Sequence, residues 1–504
     1  MPSTLTQPEI KHIGNMAELA ANKVDGQFGQ QTDDGKSPYS SFMEALRDGI
    51  GSRRGARYLA IAAEVEKALD EGRLHVGDRL PPHRDLADFL NLNLSTVSRA
   101  YAEMRARGLI DGVVGRGTFI VDSRPDAPPS IWERALDGDF IDLSHNFPRQ
   151  SKGHASVVAI LHEMEASFDV SRLMAHQVDL GLPEHREAGA KWLGRMGVKT
   201  RPDEVILTSG GQHGILMAIA ALTHPTEPLM VEELTFYGAK SAANILGRRI
   251  VSVRMDADGI ISSDLERVSV ETGAKVLYCM PTLHNPSTIT MPLARRREVV
   301  EVCRRNDIAI IEDDAYSFLL DEIYPPLCSL APERTTYIST LSKCVGPGLR
   351  IGFVRAPREC LLPLGLALRA STLMATPITA EIARRLIDGG TIQEVIDDRR
   401  LEAKARQAIA FNLLPDALTS GHPNGFHIWL QLANGWHAEE FSREAKLRGV
   451  GVAPASLFVV GDNVRANAVR LCTSAAADQD VLKVALGILS RQLSEHPPIS
   501  LPSI

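Results

Sequence analysis

From about residue 140 onward, short apolar runs recur along the chain: EVILT, PLMVE, KVLYCM, IAIIE and TTYIST. Helix-like stretches such as RRREVVEVCRRN separate them. Strands this short, each followed by an amphipathic segment, suit crossover helices, so an α/β domain around a largely parallel sheet is expected. After about Thr391 the pattern changes. A long helical stretch, TIQEVIDDRRLEAKARQAIAFNLL, precedes the strand-like FHIWLQL and AVRLCTS and a last helix, DQDVLKVALGILSRQL. That order suits a smaller α+β lobe.

The 504 residues exceed one ordinary domain. Residues 1–52 are polar and rich in Gly, Ser, Gln and Asp, and are expected to be a disordered extension. A compact segment follows over 53–121. Residues 122–139 begin DSRPDAPPS, with Pro125, Pro128 and Pro129, and are expected to form a linker. The α/β segment spans 140–490, and 491–504 is expected to be a frayed tail.

Within 53–121 the order is helix, helix, turn, helix and hairpin. Apolar and charged residues alternate at helical spacing over 57–72. A short helix is expected from about Arg84, after Pro81-Pro82, and Asn91 to Leu94 reads as a turn. Ser95 stands where an N-cap is preferred, and Gly108 where a helix ends. Two β-prone runs then flank Gly115-Arg116-Gly117. This is the plan of a winged helix-turn-helix. A recognition helix meets base edges with its N-terminal residues, here Ser95, Thr96 and Arg99. Arg84 is placed to hold a phosphate, and Arg116 to reach DNA from the wing. For each arginine the alternative is a solvated surface side chain, and for the whole module a protein-docking role.

The stretches GDRLPPHRDLA, LSTVSRAYAEM and GRGTFIV resemble, in order and spacing, the GntR-type winged-helix family. His83 departs from that pattern, in which Ser and Glu are common.

The later region carries a second constellation. In STLSKCVGPGLRIGF, Lys343 follows a strand and precedes a Gly-Pro-Gly turn, with Arg350 seven positions on. A lysine kept from water can lose its proton and form a Schiff base, and the arginine can face a phosphate. In EVILTSGGQHGILMAIAAL, small residues at a helix start can cradle a phosphate with backbone N–H groups. Asp313, ending the strand IAIIEDD, can pair with a protonated pyridine nitrogen, and Tyr316 can donate to a ring oxygen. Asn285 precedes Pro286 after another strand. Phe236 or Tyr237 can stack on a planar ring or serve as core aromatics. Arg470, inside AVRLCTS, needs an anion, which a carboxylate would supply.

Together these pieces resemble a fold-type I aminotransferase over roughly 140–490. The resemblance implies pyridoxal 5'-phosphate bound through Lys343. It implies Asp313 on the pyridine nitrogen, Tyr316 and Asn285 on the 3-hydroxyl oxygen, and Phe236 over the ring. Gly211, Gln212, Thr340, Ser342 and Arg350 would hold the phosphate, and Arg470 an amino-acid carboxylate. Leu234 stands where the family often has Pro. His176 stands where a tyrosine usually reaches the partner subunit's phosphate.

A GntR-type reader, a linker and an aminotransferase-like domain in this order resemble the MocR-type transcription regulators. That resemblance implies a homodimer that binds a double-stranded DNA operator and senses the cofactor or an amino-acid-like or amine effector. The rivals are a working aminotransferase with an accessory DNA-binding domain and a scaffold with an inactive cofactor site.

Charge and thiols agree with the first two. Net charge is −7, yet residues 53–121 carry 11 basic and 9 acidic side chains against 44 and 53 elsewhere, so any nucleic-acid footprint is local. The six cysteines, all beyond residue 270, show no CxxC spacing, which suits reduced thiols rather than disulfides or zinc. No run of about 18 uncharged apolar residues and no signal peptide is recognised. A cytoplasmic protein without a membrane span or metal is the expectation.

Overall fold

The computed structural model describes residues 57–70, 78–106, 109–113, 117–120, 140–148, 152–167, 171–177, 180–461 and 466–497, together with Met43, Leu46 and Leu74. The extension apart from Met43 and Leu46, the linker over 122–139, Gly108, Gly115 and Arg116 lie outside the described residues, and so do the expectations that fall on them; Met43 and Leu46 are helical and buried in the core of the first unit, so the disorder expected over 1–52 does not hold there. The chain divides into two compact units, 1–130 and 131–504.

The first unit has helices Arg57–Asp70, His83–Leu90 and Leu94–Ala106. A three-stranded antiparallel sheet, in the order Arg79–Leu80, Gly117–Ile120, Ile110–Val113, completes it. Ile61, Val65, Leu86, Val97, Tyr101 and Met104 recur at helical spacing and bury one face of each helix. The turn between the last two helices is closed at Asn91, which adopts φ 50° and sends its N–H to Ala87 and Asp88.

One expectation is corrected here. The third helix begins at Leu94, and the carbonyl of Asn93 accepts from Thr96 and Val97, so Ser95 lies inside the first turn rather than at the cap. Asn93 does the backbone work that the pattern assigned to Ser95.

The second unit holds a seven-stranded sheet. Its order is Val205–Thr208, Gly352–Arg355, Thr335–Thr340, Ala309–Asp314, Val276–Cys279, Leu229–Glu232, Ile250–Val253. Gly352–Arg355 runs antiparallel to both neighbours, and the other adjacent pairs are parallel. Most of these strands are buried along their whole length, which is why they read as unbroken apolar runs. The strands ending at Thr208, Glu232, Cys279, Asp314 and Thr340 therefore all finish on one edge, and ligands of open α/β sheets bind at such an edge.

The smaller lobe is a four-stranded antiparallel sheet, Thr419–Gly421, Ile428–Gln431, Ala468–Leu471, Ala453–Pro454. Helices Ala438–Leu447 and Gln479–Ser494 accompany it, and helix Thr391–Leu413 precedes it. One boundary moves. The last helix continues past 490 to Ser494, because Leu493 is buried and the Trp436 indole donates to the Gln492 carbonyl. Ile141–Asp142 pairs in parallel with Val450–Gly451, so this lobe takes chain from both ends of the domain.

Trp192, fully buried on helix Pro183–Arg195, donates its indole N–H to Ser339 Oγ at 3.0 Å and so ties that helix to the strand leading to Lys343. Trp192→Ala is expected to cost about 3–5 kcal/mol of stability, the range for a buried aromatic. The denaturant midpoint of the second unit, with an unchanged slope, measures it.

Candidate cofactor and effector site

Five strand ends deliver the site. Lys343 follows Thr335–Thr340, and its half-buried side chain ends in an enclosed ammonium that donates to the Asn146 carbonyl. The ammonium also stands 4.8 Å from the centroid of Phe147. Burial pulls the lysine down to about 8, helped by Arg470 and Arg350, against the pull of Asp313. A substantial neutral fraction near neutral pH is what a nucleophilic amine requires.

Asp313 sits at the end of Ala309–Asp314, 5% exposed, and accepts from the Tyr278 hydroxyl at 2.8 Å. Burial pushes this carboxyl up to about 7, while Tyr278 and Lys343 oppose the shift. A cationic ring nitrogen beside it would hold it ionised. Tyr316 is buried, and its hydroxyl accepts from Asn146 Nδ2 at 3.0 Å.

Asn285 lies in the 281–291 loop, buried, with its Oδ1 accepting from Arg470 Nη1 at 2.7 Å. Arg296, wholly buried, holds that loop through the carbonyls of Pro281 and Met291 and the hydroxyl of Thr282. Arg470 is 1% exposed and packs 4.8 Å from the ring centroid of Phe458. Its Nη2 donates to the Ser144 carbonyl, but its Nε is buried without a partner. A buried guanidinium with a free N–H can take a carboxylate oxygen.

The phosphate cradle is equally tight. Gly210 caps helix Gly211–Leu222 at φ +89°, and an added Cβ there would stand 2.8 Å from the Arg350 guanidinium. Only glycine admits both the conformation and the arginine. Arg350 donates to the Ser209 carbonyl at 2.9 Å, and Thr340 and Ser342 bring their hydroxyls 2.9 Å apart on the facing side. Gln212 donates to the Gly238 carbonyl, and a Cβ on Gly238 would collide with Gln212 and with the ring of Phe236. A helix N-terminus, an arginine and two hydroxyls suit a dianionic phosphate. The residues present thus fit pyridoxal 5'-phosphate.

Every sequence-derived residue of this site lies at one sheet edge or in the lobe above it. Tyr278 and Asn146 were not foreseen. Tyr278 hides in an apolar run where only its hydroxyl signals a role, and Asn146 hides in the polar run SHNFP. His176 is exposed on the short stretch after helix Ser171–Met174.

In the first unit Arg84, Ser95 and Arg99 are exposed and Thr96 is half-buried. The Arg99 guanidinium lies 4.7 Å from the ring centroid of Tyr58, a cation–π contact within the unit. His83 Nδ1 is 3.3 Å from Ser98 Oγ and its ring is 4.1 Å from that of Tyr101. The residue that departs from the GntR pattern therefore joins the two helices of the motif.

Residues 138–489 match the family of aminotransferase class I and II, and residues 57–120 match bacterial regulatory proteins of the gntR family. The uncharacterized HTH-type transcriptional regulator YdeF of Bacillus subtilis is 30% identical over 461 residues, 91% of this chain and 98% of its own. The HTH-type transcriptional regulator TauR of Rhodobacter capsulatus is 26% identical over 467 residues, covering 84% and 94%. Among solved structures, an archaeal alanine:glyoxylate aminotransferase superposes with a TM-score of 0.66 at 26% identity, over 70% of this chain and 91% of its own.

Lys343→Ala should leave a folded protein that, mixed with pyridoxal 5'-phosphate, lacks the visible absorption of a lysine-bound cofactor. Retention of that band in the variant assigns the bond to another lysine. In the wild type the rate at which the band appears should rise with pH through about 8 and level above it, because only the neutral amine attacks. Stopped-flow absorbance between pH 6 and 10 measures this, and a rate still climbing at pH 10 contradicts the lowered value.

Proposed function

Because this chain belongs to the MocR-type regulators, a gntR-family helix-turn-helix ahead of an aminotransferase class I and II domain, we propose that it reads a DNA operator as a homodimer. We further propose that an amino compound at Lys343 adjusts that reading. The observation that supports regulation over metabolism is collinearity: relatives named as transcriptional regulators align through both units and nearly to their full length.

Each part has a physical role. The cofactor supplies an electrophilic carbon and an electron-withdrawing ring. Lys343 would be the amine that holds the cofactor. Asp313 keeps the ring nitrogen charged, and Arg470 selects compounds that carry a carboxylate. Ser95, Thr96 and Arg99 face bases, while Arg84 and Arg116 face phosphates. Among the described residues no helix is long and apolar enough to cross a membrane, and a DNA operator as target supports a cytoplasmic protein.

For an effector to regulate, it must bind the DNA-competent and DNA-incompetent forms with different affinity. Ordinary coupling of about 1–3 kcal/mol changes operator affinity roughly 5- to 150-fold. Footprinting and titration of the protein's own upstream DNA, with and without cofactor and a panel of amino acids and amines, test this. Reciprocity requires the operator to change effector affinity by the same factor. Lys343→Ala should bind operator but lose the response.

The lysine, aspartate and arginine that transamination needs are all present, which favours a second reading, a working aminotransferase with an accessory DNA-binding unit. Unmoving operator affinity together with turnover of amino acid and keto acid pairs would select that reading.

A further inference from the structure

The segment 140–148 is the first described stretch of the second unit, and it touches Lys343, Arg470 and Tyr316. Its backbone is laced to the small lobe: Leu143 N donates to Gly451 O and Cys472 N donates to Leu143 O, both at 2.8 Å. The Ser144 carbonyl accepts from Arg470 and the Asn146 carbonyl from Lys343.

Asn146 has the densest set of contacts. It is 5% exposed. Its Nδ2 donates to the Tyr316 hydroxyl at 3.0 Å and faces His427 Nδ1 at 3.3 Å, while its Oδ1 accepts from Ser474 Oγ at 3.4 Å. The tautomer of His427 is consistent with this. Its Nε2 lies 3.1 Å from the His284 carbonyl, which can only accept, so Nε2 carries the proton and Nδ1 accepts from Asn146. Burial and the Arg470 charge hold that imidazole neutral, down at about 3.

We propose that Asn146 is a positioning residue of the site and that its segment reports whether Lys343 is free. This rests on the regulator reading above only for its last step, transmission to DNA. Asn146 Nδ2 polarises the Tyr316 hydroxyl, which makes that hydroxyl a better donor to the cofactor's 3-oxygen. Its carbonyl takes the lysine ammonium. When Lys343 Nζ is bonded to the cofactor's carbon, the carbonyl loses a charged donor, and such bonds are the stronger kind. When an amine compound attacks that carbon, its nitrogen forms the bond that Lys343 Nζ gives up. Starting from a protonated lysine–cofactor imine, both N–H protons of the neutral incoming amine pass to the lysine nitrogen, which leaves as an ammonium and returns to the Asn146 carbonyl. The segment that leads back to the linker is thus held tightly with Lys343 free and loosely with Lys343 engaged.

The test uses the full chain loaded with pyridoxal 5'-phosphate, and aminooxyacetate as an amine nucleophile carrying one carboxylate. In Asn146→Ala the visible band should persist, but the pH midpoint of its colour change should move up by roughly 0.5–1 unit, the loss of one hydrogen bond. The sign follows from a weaker Tyr316 donor, which leaves the ring oxygen more basic and the neighbouring imine proton harder to remove. Hydrogen exchange of the wild type should show the amides of Leu143, Ser144 and Phe147 at least about fivefold slower after aminooxyacetate than before, the lower end of site-to-site coupling. Asn146→Ala keeps the backbone carbonyl that accepts from Lys343 and should retain that difference, so colour midpoint and exchange test the two roles separately.

An unmoved midpoint overturns the positioning role, and equal exchange in the two wild-type states overturns the reporting role. Should the variant fail to bind cofactor, the wild-type exchange comparison still decides. If midpoint and exchange move as stated while operator affinity never responds, the regulator reading fails and the assignment of Asn146 stands.

Discussion

Three charged side chains, Asp313, Lys343 and Arg470, are kept from water within one site, and that constraint organises the domain around them. Charges so placed are costly unless dipoles or counter-charges meet them. Tyr278, the carbonyls of Asn146 and Ser144, and Asn285 supply partial compensation. What they leave uncompensated is chemically informative. Asp313 awaits a cation, Lys343 gives up its proton more readily than a solvated lysine, and Arg470 Nε has no partner. A doubly charged phosphate, a protonated ring and a carboxylate complete the set.

The sequence shows the parts of this arrangement better than their supports. Lys343, Arg350, Asp313 and the Ser209-Gly210-Gly211 turn lie in short motifs, each after a strand, where local chemistry and topology coincide. Tyr278, Asn146 and His427 act across the fold, at separations of 35, 170 and 281 residues between partners. Nothing local marks such contacts. The same holds for the small lobe, whose strand partner Ile141–Asp142 lies some 300 residues upstream of Val450–Gly451. The sheet and its helices were legible because a buried parallel strand has to be apolar throughout.

In the DNA-binding unit, propensity misplaced one detail. Ser95 and Asn93 are comparable capping residues by chemistry, and the chain begins the helix at Leu94 because Asn91 turns the backbone with φ 50° and sets Asn93 as the acceptor. His83 shows the opposite case. It departs from the family pattern, and its ring lies against Tyr101 and reaches Ser98. Helix orientation in a motif this small depends on such single contacts, since the unit has one modest core.

The bond from Arg470 Nη1 to Asn285 Oδ1 fastens strand Ala468–Leu471 of the smaller lobe to the 281–291 loop at the edge of the large sheet. The guanidinium Nε lies outside that bond and has no partner of its own. An anion can therefore be added at Nε without unfastening lobe from loop, and filling the site need not cost the contact that keeps its two walls in register.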